Sequence, residues 1–153
     1  MIRNKKTAFT LAELIIVVVI IAAISAIAVP RLNYGAIWKK KAEVIARKIV
    51  ADLRLARSHA ISQAATNTVG FSLNMVGTAP YTSYQIKDLD TLEVIDTLTI
   101  DSDTSCNGGS LFEFGPLGNL LQGSDTQLTV SASGKVFTIT VTPATGSVEC
   151  IEN

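Results

Sequence analysis

The chain is organised by an apolar stretch near its start, AFTLAELIIVVVIIAAISAIAVP, over residues 8–30. From Phe9 to Val29 this stretch holds 21 residues. A helix of that length spans roughly 30 Å, the thickness of a bilayer's hydrocarbon core. The stretch therefore predicts a transmembrane helix over 9–30. A cleaved secretory signal is the alternative, but the apolar core of such a signal is shorter, at roughly 7 to 15 residues.

One carboxylate, Glu13, interrupts the apolar stretch close to its start. An ionisable side chain near the centre of a membrane helix costs about 2.5 to 3.5 kcal/mol on insertion scales. Glu13 could avoid that cost by reaching the interface, or a cation could pair with it. The residues alone leave both alternatives open for this carboxylate.

The residues before the stretch carry the rest of a recognisable motif. They include three basic side chains, Arg3, Lys5 and Lys6. A small residue, Ala8, then precedes FTLAE and the long apolar run. This arrangement resembles the class III signal of type IV pilins and pseudopilins. The resemblance implies that a prepilin peptidase removes a leader, 1–8, by cutting between Ala8 and Phe9, and that the new amine of Phe9 is N-methylated. The family usually has glycine before the cut, where this chain has Ala8.

The resemblance also gives Glu13 a role. In the family this carboxylate is a docking group for the N-terminal amine of a neighbouring subunit, and each buried charge then relieves the desolvation of the other. The implied partners are the prepilin peptidase, other pilin or pseudopilin subunits and an inner-membrane assembly platform. The implied location is the bacterial inner membrane, with the N-terminus cytoplasmic and the head periplasmic, and then a filament.

Charge is distributed unevenly over the remainder, although the formal net charge is zero. Residues 31–57 contain eight basic side chains and only two acidic ones, whereas residues 58–153 contain two basic and ten acidic ones. This split predicts a basic helical segment and an acidic head.

A second helix is predicted over 31–66, continuing the first beyond a kink at Pro30, which lacks the amide proton that a regular helix needs. Its apolar residues recur at spacings of three and four, which predicts one buried stripe. The stripe consists of Trp38, Ala42, Ile45, Ile49, Leu53, Ala56, Ala60 and Ala64. We expect it to lie on a β-sheet.

After Asn67 the sequence changes to short β-prone runs separated by turn residues, which predicts a β-rich head over 67–153. The expected elements are a strand over 67–74, a hairpin around Asp90 and Thr91, a surface loop over 101–110, a short strand before Gly115, and a terminal hairpin through Gly134. The fold class is therefore α+β and pilin-like, with a long N-terminal helix packed on an antiparallel sheet.

Two cysteines, Cys106 and Cys150, lie in the part that would be exported. An even count in an oxidising compartment favours a disulfide, which would stabilise the head by roughly 4 kcal/mol, and two free thiols are the alternative. Together with the single histidine, His59, the cysteines do not make up a zinc site. The DSDT segment at 101–104 has too few oxygen ligands for an EF-hand.

No enzyme motif is present in the sequence: it contains no P-loop, no dinucleotide glycine fingerprint and no HExxH. His59 has a serine beside it, but adjacent helical residues do not face each other, so a surface histidine is the better interpretation. We expect no enzymatic activity, no cofactor and no small-molecule substrate.

Three later segments carry a second resemblance. They are LARSHAIS (55–62), FEFGPLG (112–118) and TGSVEC (145–150). This order resembles the H-type minor pseudopilins of type II secretion and the related minor type IV pilins. The expected function is a structural subunit of a type II secretion or type IV pilus filament. The alternative is a DNA-binding minor pilin for natural transformation, in which the basic segment contacts phosphate; the acidic head makes nucleic acid the weaker expectation.

Overall fold

The computed structural model describes residues 10–28 and 34–153, and this part of the chain holds two helices followed by eight strands. The helices are α1 (Leu11–Ala28) and α2 (Tyr34–Ser62). The strands are β1 (Phe71–Val76), β2 (Ser83–Asp88), β3 (Val94–Thr99), β4 (Ser105–Gly108), β5 (Leu111–Phe114), β6 (Gln127–Ala132), β7 (Lys135–Val141) and β8 (Val148–Glu152). The chain divides into two compact units, 1–35 and 36–153.

Helix α1 is apolar on every side, because only Glu13 and Ser25 are polar within it. Its large aliphatic side chains are about half exposed or more along the described chain. Within residues 10–28 and 34–153, no helix has both the length and the apolar character needed to cross a membrane. The predicted span over 9–30 extends past both ends of α1, and it stays a prediction. The predicted kink at Pro30 lies outside the described residues.

Helix α2 buries most of the stripe that its periodicity predicts; Ala64 lies beyond the end of the helix, and the side chain of Trp38 lies outside what the structure describes. Five of the predicted positions are fully buried: Ala42, Ile49, Leu53, Ala56 and Ala60. Ala46 and Val50 complete the buried face, and Ile45 is partly buried beside it. The spacing of three and four residues keeps these side chains on one face of the helix. The stripe joins a single core cluster with residues from the strands.

The strands form two four-stranded antiparallel sheets rather than one. The first has the order β3-β2-β1-β5, and the second has the order β4-β6-β7-β8. In the second sheet, Phe137, Ile139 and Val141 alternate with more exposed residues along β7 and face the core, as the sequence predicts. The β6–β7 hairpin turns through Ser133 and Gly134, both with positive φ, as a two-residue turn of this kind requires. The α+β, pilin-like fold class is confirmed.

The start of the head differs from the expected boundaries. The helix ends at Ser62, and the first strand begins at Phe71 instead of residue 67. The cause is Asn67, whose buried side-chain oxygen accepts the backbone N–H groups of Val69 (3.0 Å) and Gly70 (2.7 Å). This side chain takes over backbone groups that a longer strand would have paired, so it delays the strand.

The expected loop over 101–110 is also wrong in part. Residues Ser105–Gly108 form β4, which pairs antiparallel with β6, with Cys106 opposite Val130. The segment looks like a loop because it is polar and contains glycine. Its pairing partner, β6, lies twenty or more residues further along the chain, so the local composition of the segment gives no information about the pairing.

Candidate assembly site

The start of α1 is fixed by a reciprocal pair, Thr10 and Glu13. The Glu13 carboxylate oxygen Oε2 accepts the backbone N–H of Thr10 (2.8 Å) and its hydroxyl (2.9 Å). The backbone N–H of Glu13 reaches the Thr10 hydroxyl at 3.3 Å. Thr10 and Glu13 therefore form a capping box, which satisfies donors that the first turn of a helix leaves unpaired. A threonine followed three residues later by a glutamate, directly before an apolar run, is the sequence signature of a capping box.

The capping box leaves Glu13 able to bind another group. Both described bonds end on the same oxygen, Oε2, and an ionised carboxylate offers about four acceptor positions. The side chain is exposed in the isolated chain. It can therefore keep its bonds to Thr10 while a cation approaches the rest of the carboxylate. The predicted cleavage residues, Ala8 and Phe9, lie outside the described residues.

Helix α2 is held to the strands by polar bonds at the edges of its buried stripe. The Tyr84 hydroxyl donates to the Asp52 carboxylate at 2.6 Å, and the Arg54 guanidinium donates to the Val148 carbonyl at 2.9 Å. Burial, together with the adjacent Asp52 carboxylate, raises the pKa of Tyr84 well above its usual range. The neutral, donating phenol is therefore stabilised in the folded state.

A further contact lies nearer the N-terminal part of α2. The Lys41 ammonium is 2.8 Å from an Asp103 carboxylate oxygen and 3.7 Å from Asp101. The hydrogen bond to Asp103 raises the pKa of Lys41. The acidic DSDT segment therefore meets a lysine of the basic helix within the same chain.

The three segments of the second resemblance converge on Arg57. Its Nε donates to the Gly118 carbonyl at 3.0 Å. A Cβ on Gly146 would overlap that same carbonyl oxygen and would lie 3.0 Å from Arg57 Nε. A Cβ on Gly118 would lie 2.6 Å from Ile61 Cδ1. We call this cluster of Arg57, Ile61, Gly118 and Gly146 the motif junction. Both glycines are needed there because they have positive φ and leave no space for a side chain.

These contacts change the interpretation of the basic segment. Lys41, Arg54 and Arg57 bond to the head of their own chain, so part of the positive charge serves internal docking. The remaining exposed basic side chains of α2 include Lys40, Arg47 and Lys48.

The predicted Cys106–Cys150 disulfide is wrong for this fold, in which both cysteines are free. Cys106 lies on β4 and Cys150 on β8, at opposite edges of the second sheet. At roughly 4.8 Å per strand the two edges are about 14 Å apart, whereas disulfide-bonded residues have Cα atoms within about 7 Å. Burial raises the pKa of Cys106 to about 12, and it also raises the pKa of the half-buried Cys150.

His59 is half-buried and has a packing role. Its ring centroid lies 5.4 Å from that of Phe71 on β1. Its Nδ1 is 3.4 Å from the side-chain amide of Gln63. The prediction of a histidine on the surface of the helix therefore needs correction: the ring faces the first sheet at the end of α2.

Two families of known proteins match this chain, one at its N-terminus and one over the head. Residues 3–29 match the prokaryotic N-terminal methylation motif, and this range contains Thr10 and Glu13 of the capping box. Residues 46–149 match the family of the type II transport protein GspH, and this range contains the four residues of the motif junction. The chain belongs to the GspH family. It is a type IV pilin-like minor pseudopilin, and members of this family are structural pilin subunits.

One solved structure has a fold similar to that of this chain. The chain is similar to the type IV minor pilin FimU of Pseudomonas aeruginosa, with a TM-score of 0.58 and 15% sequence identity. The similarity covers 71% of this chain and 91% of the FimU chain. No curated protein is similar enough to count as a match. The DNA-binding alternative gains no support from these comparisons.

Proposed function

We propose that this chain is a minor subunit of a type II secretion or type IV pilus filament and that it assembles through helix α1. The observation that carries the proposal is an exposed helix that is apolar apart from Ser25 and one carboxylate at its start, Glu13. Such a helix has to cover its surface with lipid or with neighbouring helices. The inner membrane supplies the first cover and the filament core supplies the second.

In the proposed sequence of events, a prepilin peptidase first cuts between Ala8 and Phe9 on the cytoplasmic side, and the amine of Phe9 is methylated. The head lies in the periplasm, and 9–30 anchors the subunit. An inner-membrane assembly platform then moves it into the filament. The Glu13 carboxylate meets the N-terminal ammonium of a neighbouring subunit, because each charge lowers the desolvation cost of the other.

The capping box makes the test of Glu13 sharper. Glu13→Gln keeps an oxygen that can accept from Thr10 but removes the charge, whereas Glu13→Ala removes both. If the charge drives docking, we expect both variants to reach the membrane in normal amounts and to enter filaments at least about tenfold less than the wild type. Ser25→Ala, a polar-to-alanine change in the same helix, should incorporate normally.

Filament incorporation is measured by immunoblotting sheared filaments against the membrane fraction. Normal incorporation of Glu13→Gln would limit Glu13 to capping the helix and would overturn the docking role. Mass spectrometry of the mature chain should show an N-terminal methylated Phe9. A chain that still begins at Met1 in assembled filaments would contradict the proposed processing.

A further inference from the structure

Each of the two sheets has two outer strands, so the described head has four sheet edges. They are β3 and β5 in the first sheet and β4 and β8 in the second. The outer side of an edge strand presents backbone N–H and C=O groups that no strand of its own sheet pairs with, and an extended segment of another chain can bind to them. What covers each edge therefore decides where such a segment can add.

Segments of the same chain cover the edges of β5 and β4. The Leu111 carbonyl on β5 accepts the N–H of Asp125 at 2.7 Å. The Cys106 carbonyl on β4 accepts the N–H of Tyr81 at 2.8 Å. Both edges therefore already have a bonded neighbour.

Helix α2 borders the edge of β8. The Arg54 guanidinium donates to the Val148 carbonyl at 2.9 Å. Arg47 of α2 and two residues of β8, Cys150 and Glu152, line one cavity of about 370 Å³. The helix and its side chains therefore occupy space next to this edge.

Among the strands that the structure describes, only β3 has an edge that no other segment covers. Ile100 donates its N–H to the Thr82 carbonyl, on the side of β2, at 2.8 Å. Since backbone groups in an antiparallel ladder alternate in direction, those of Thr97 and Thr99 point away from β2. The Thr97 N–H is 2.8 Å from the carboxylate of its neighbour Asp96, and no other described segment bonds to the outward groups of these two threonines.

The side chains of β3 leave this edge accessible on both faces of the sheet. Five of its six residues are exposed, among them Val94 (41%) and Ile95 (48%). The strand contains neither lysine nor proline, which commonly protect a free edge. Asp96 covers a single N–H, so the carbonyls of Thr97 and Thr99 stay available to an added strand.

The hairpin that carries this edge is strongly acidic. Residues 83–101 contain five acidic side chains and one basic one, which gives a net charge of −4. Lys41 lies 3.7 Å from Asp101 and offsets part of this charge at one end. Three further exposed carboxylates have no basic partner in the described part of the chain: Asp90, Glu93 and Asp96. A negative edge favours a positively charged partner and repels an acidic one.

A second copy of this chain does not meet these requirements. Its head, residues 58–153, carries two basic and ten acidic side chains, so two heads repel each other. Most basic side chains in its described part lie on α2, whose backbone groups are already bonded within the helix. The edge of β3 therefore fits a different protein, one that presents an extended basic segment.

We propose that the edge of β3 binds an extended, basic segment of another protein, which adds to the first sheet as a fifth strand. Its backbone pairs with the outward groups of Thr97 and Thr99, and its lysine or arginine side chains face the carboxylates of the hairpin. The contact lies in the head and does not involve α1. It therefore goes beyond the proposed assembly through that helix.

The direct test measures peptide binding to the purified full chain in nonionic detergent micelles by fluorescence anisotropy. The probe is a labelled ten-residue peptide that alternates lysine with valine. A matched peptide with all internal amides N-methylated has the same charge but cannot donate backbone hydrogen bonds, and it should bind at least about tenfold more weakly. Binding of both peptides within twofold of each other would show attraction by charge alone and would overturn the proposal. A peptide with glutamate in place of lysine should not bind, and equal binding of that peptide would contradict the choice of a basic partner.

A substitution at the edge tests the position of the site. Thr97→Pro removes the outward N–H without removing a bond to β2, and it should weaken binding of the lysine–valine peptide at least about tenfold. The matched control, Thr97→Val, keeps the N–H and should bind within twofold of the wild type. Equal binding by the two variants would place the peptide elsewhere and overturn the proposal.

Nuclear magnetic resonance of the ¹⁵N-labelled wild-type chain in the same micelles locates the peptide even if Thr97→Pro does not fold. The peptide should shift the amide signals of β3 more than those of the other strands. Shifts centred on another surface would overturn the proposal. Shifts of β3 that depend on protein concentration in the absence of peptide would identify a second copy as the occupant and would overturn it as well.

Discussion

Helix α1 exposes aliphatic side chains along its described length, whereas helix α2 buries one stripe and bonds to the head at the edges of that stripe. Both are ordinary α-helices with many aliphatic residues. The difference is periodicity: the apolar side chains of α1 surround the helix, whereas those of α2 form one buried face that joins the core cluster. Under the proposed function, lipid or neighbouring subunits cover the first helix, whereas the second packs against the strands of its own chain. Substitutions in the two helices should therefore affect different measurements.

The largest expected difference comes from one leucine in each helix. Leu53→Ala removes a fully buried side chain from the α2 stripe, and we expect it to lower the free energy of unfolding of the head by about 2 to 5 kcal/mol. Leu14→Ala changes a 62% exposed leucine of α1 and should leave that free energy unchanged. Chemical denaturation of the full chain in detergent, followed by circular dichroism, measures both. Equal losses in the two variants would remove the distinction between the helices.

The next effect tests how closely the head approaches α2 at the motif junction. Gly146→Ala places a Cβ against the Gly118 carbonyl in a residue with positive φ, and we expect a loss of about 2 to 3 kcal/mol. Gly123→Ala is the matched control, since Gly123 also has positive φ but has nothing within 4 Å of its Cβ position. It should lose only about 1 kcal/mol. The same denaturation experiment compares them, and similar losses would mean that backbone strain alone governs both sites.

The smallest effect concerns the bond between Tyr84 and Asp52. Tyr84→Phe removes the donor to a carboxylate and should lower the free energy of unfolding by about 1 to 2 kcal/mol at pH 7. The pKa of Tyr84 is raised in the folded state, so its contribution is complete below the unfolded pKa of about 10 and is lost as pH rises above it. The advantage of the wild type over Tyr84→Phe should therefore shrink above pH 10. A difference that stays constant to higher pH would show that the phenol's ionisation is not linked to folding.

Sequence reasoning was most successful where one element carries its own pattern. The buried stripe of α2 and the alternation along β7 both follow from spacing within a few turns or residues, so both were predictable. The strand β4 was missed because its pairing with β6 is nonlocal and its residues are polar. The disulfide prediction failed for a related reason. The number of cysteines says nothing about the distance between them, and the second sheet places Cys106 and Cys150 at opposite edges.

The candidate site was predictable in part. Glu13 stood out as a charge in an apolar stretch, and the family comparison includes it within the methylation motif. Its bonds to Thr10 follow a known sequence signature and could have been predicted. The motif junction could not, because Arg57, Gly118 and Gly146 are far apart in the chain, and only the folded head places them in contact.

The bonds that hold α2 to the head have a mechanical consequence. They are distributed from Lys41 through Asp52 and Arg54 to Arg57, instead of being gathered at one end of the helix. A tensile load applied along α2 is therefore shared by several contacts and by the buried stripe between them. Peeling the helix away from either end would break these contacts in succession, so the head should resist axial pulling better than peeling.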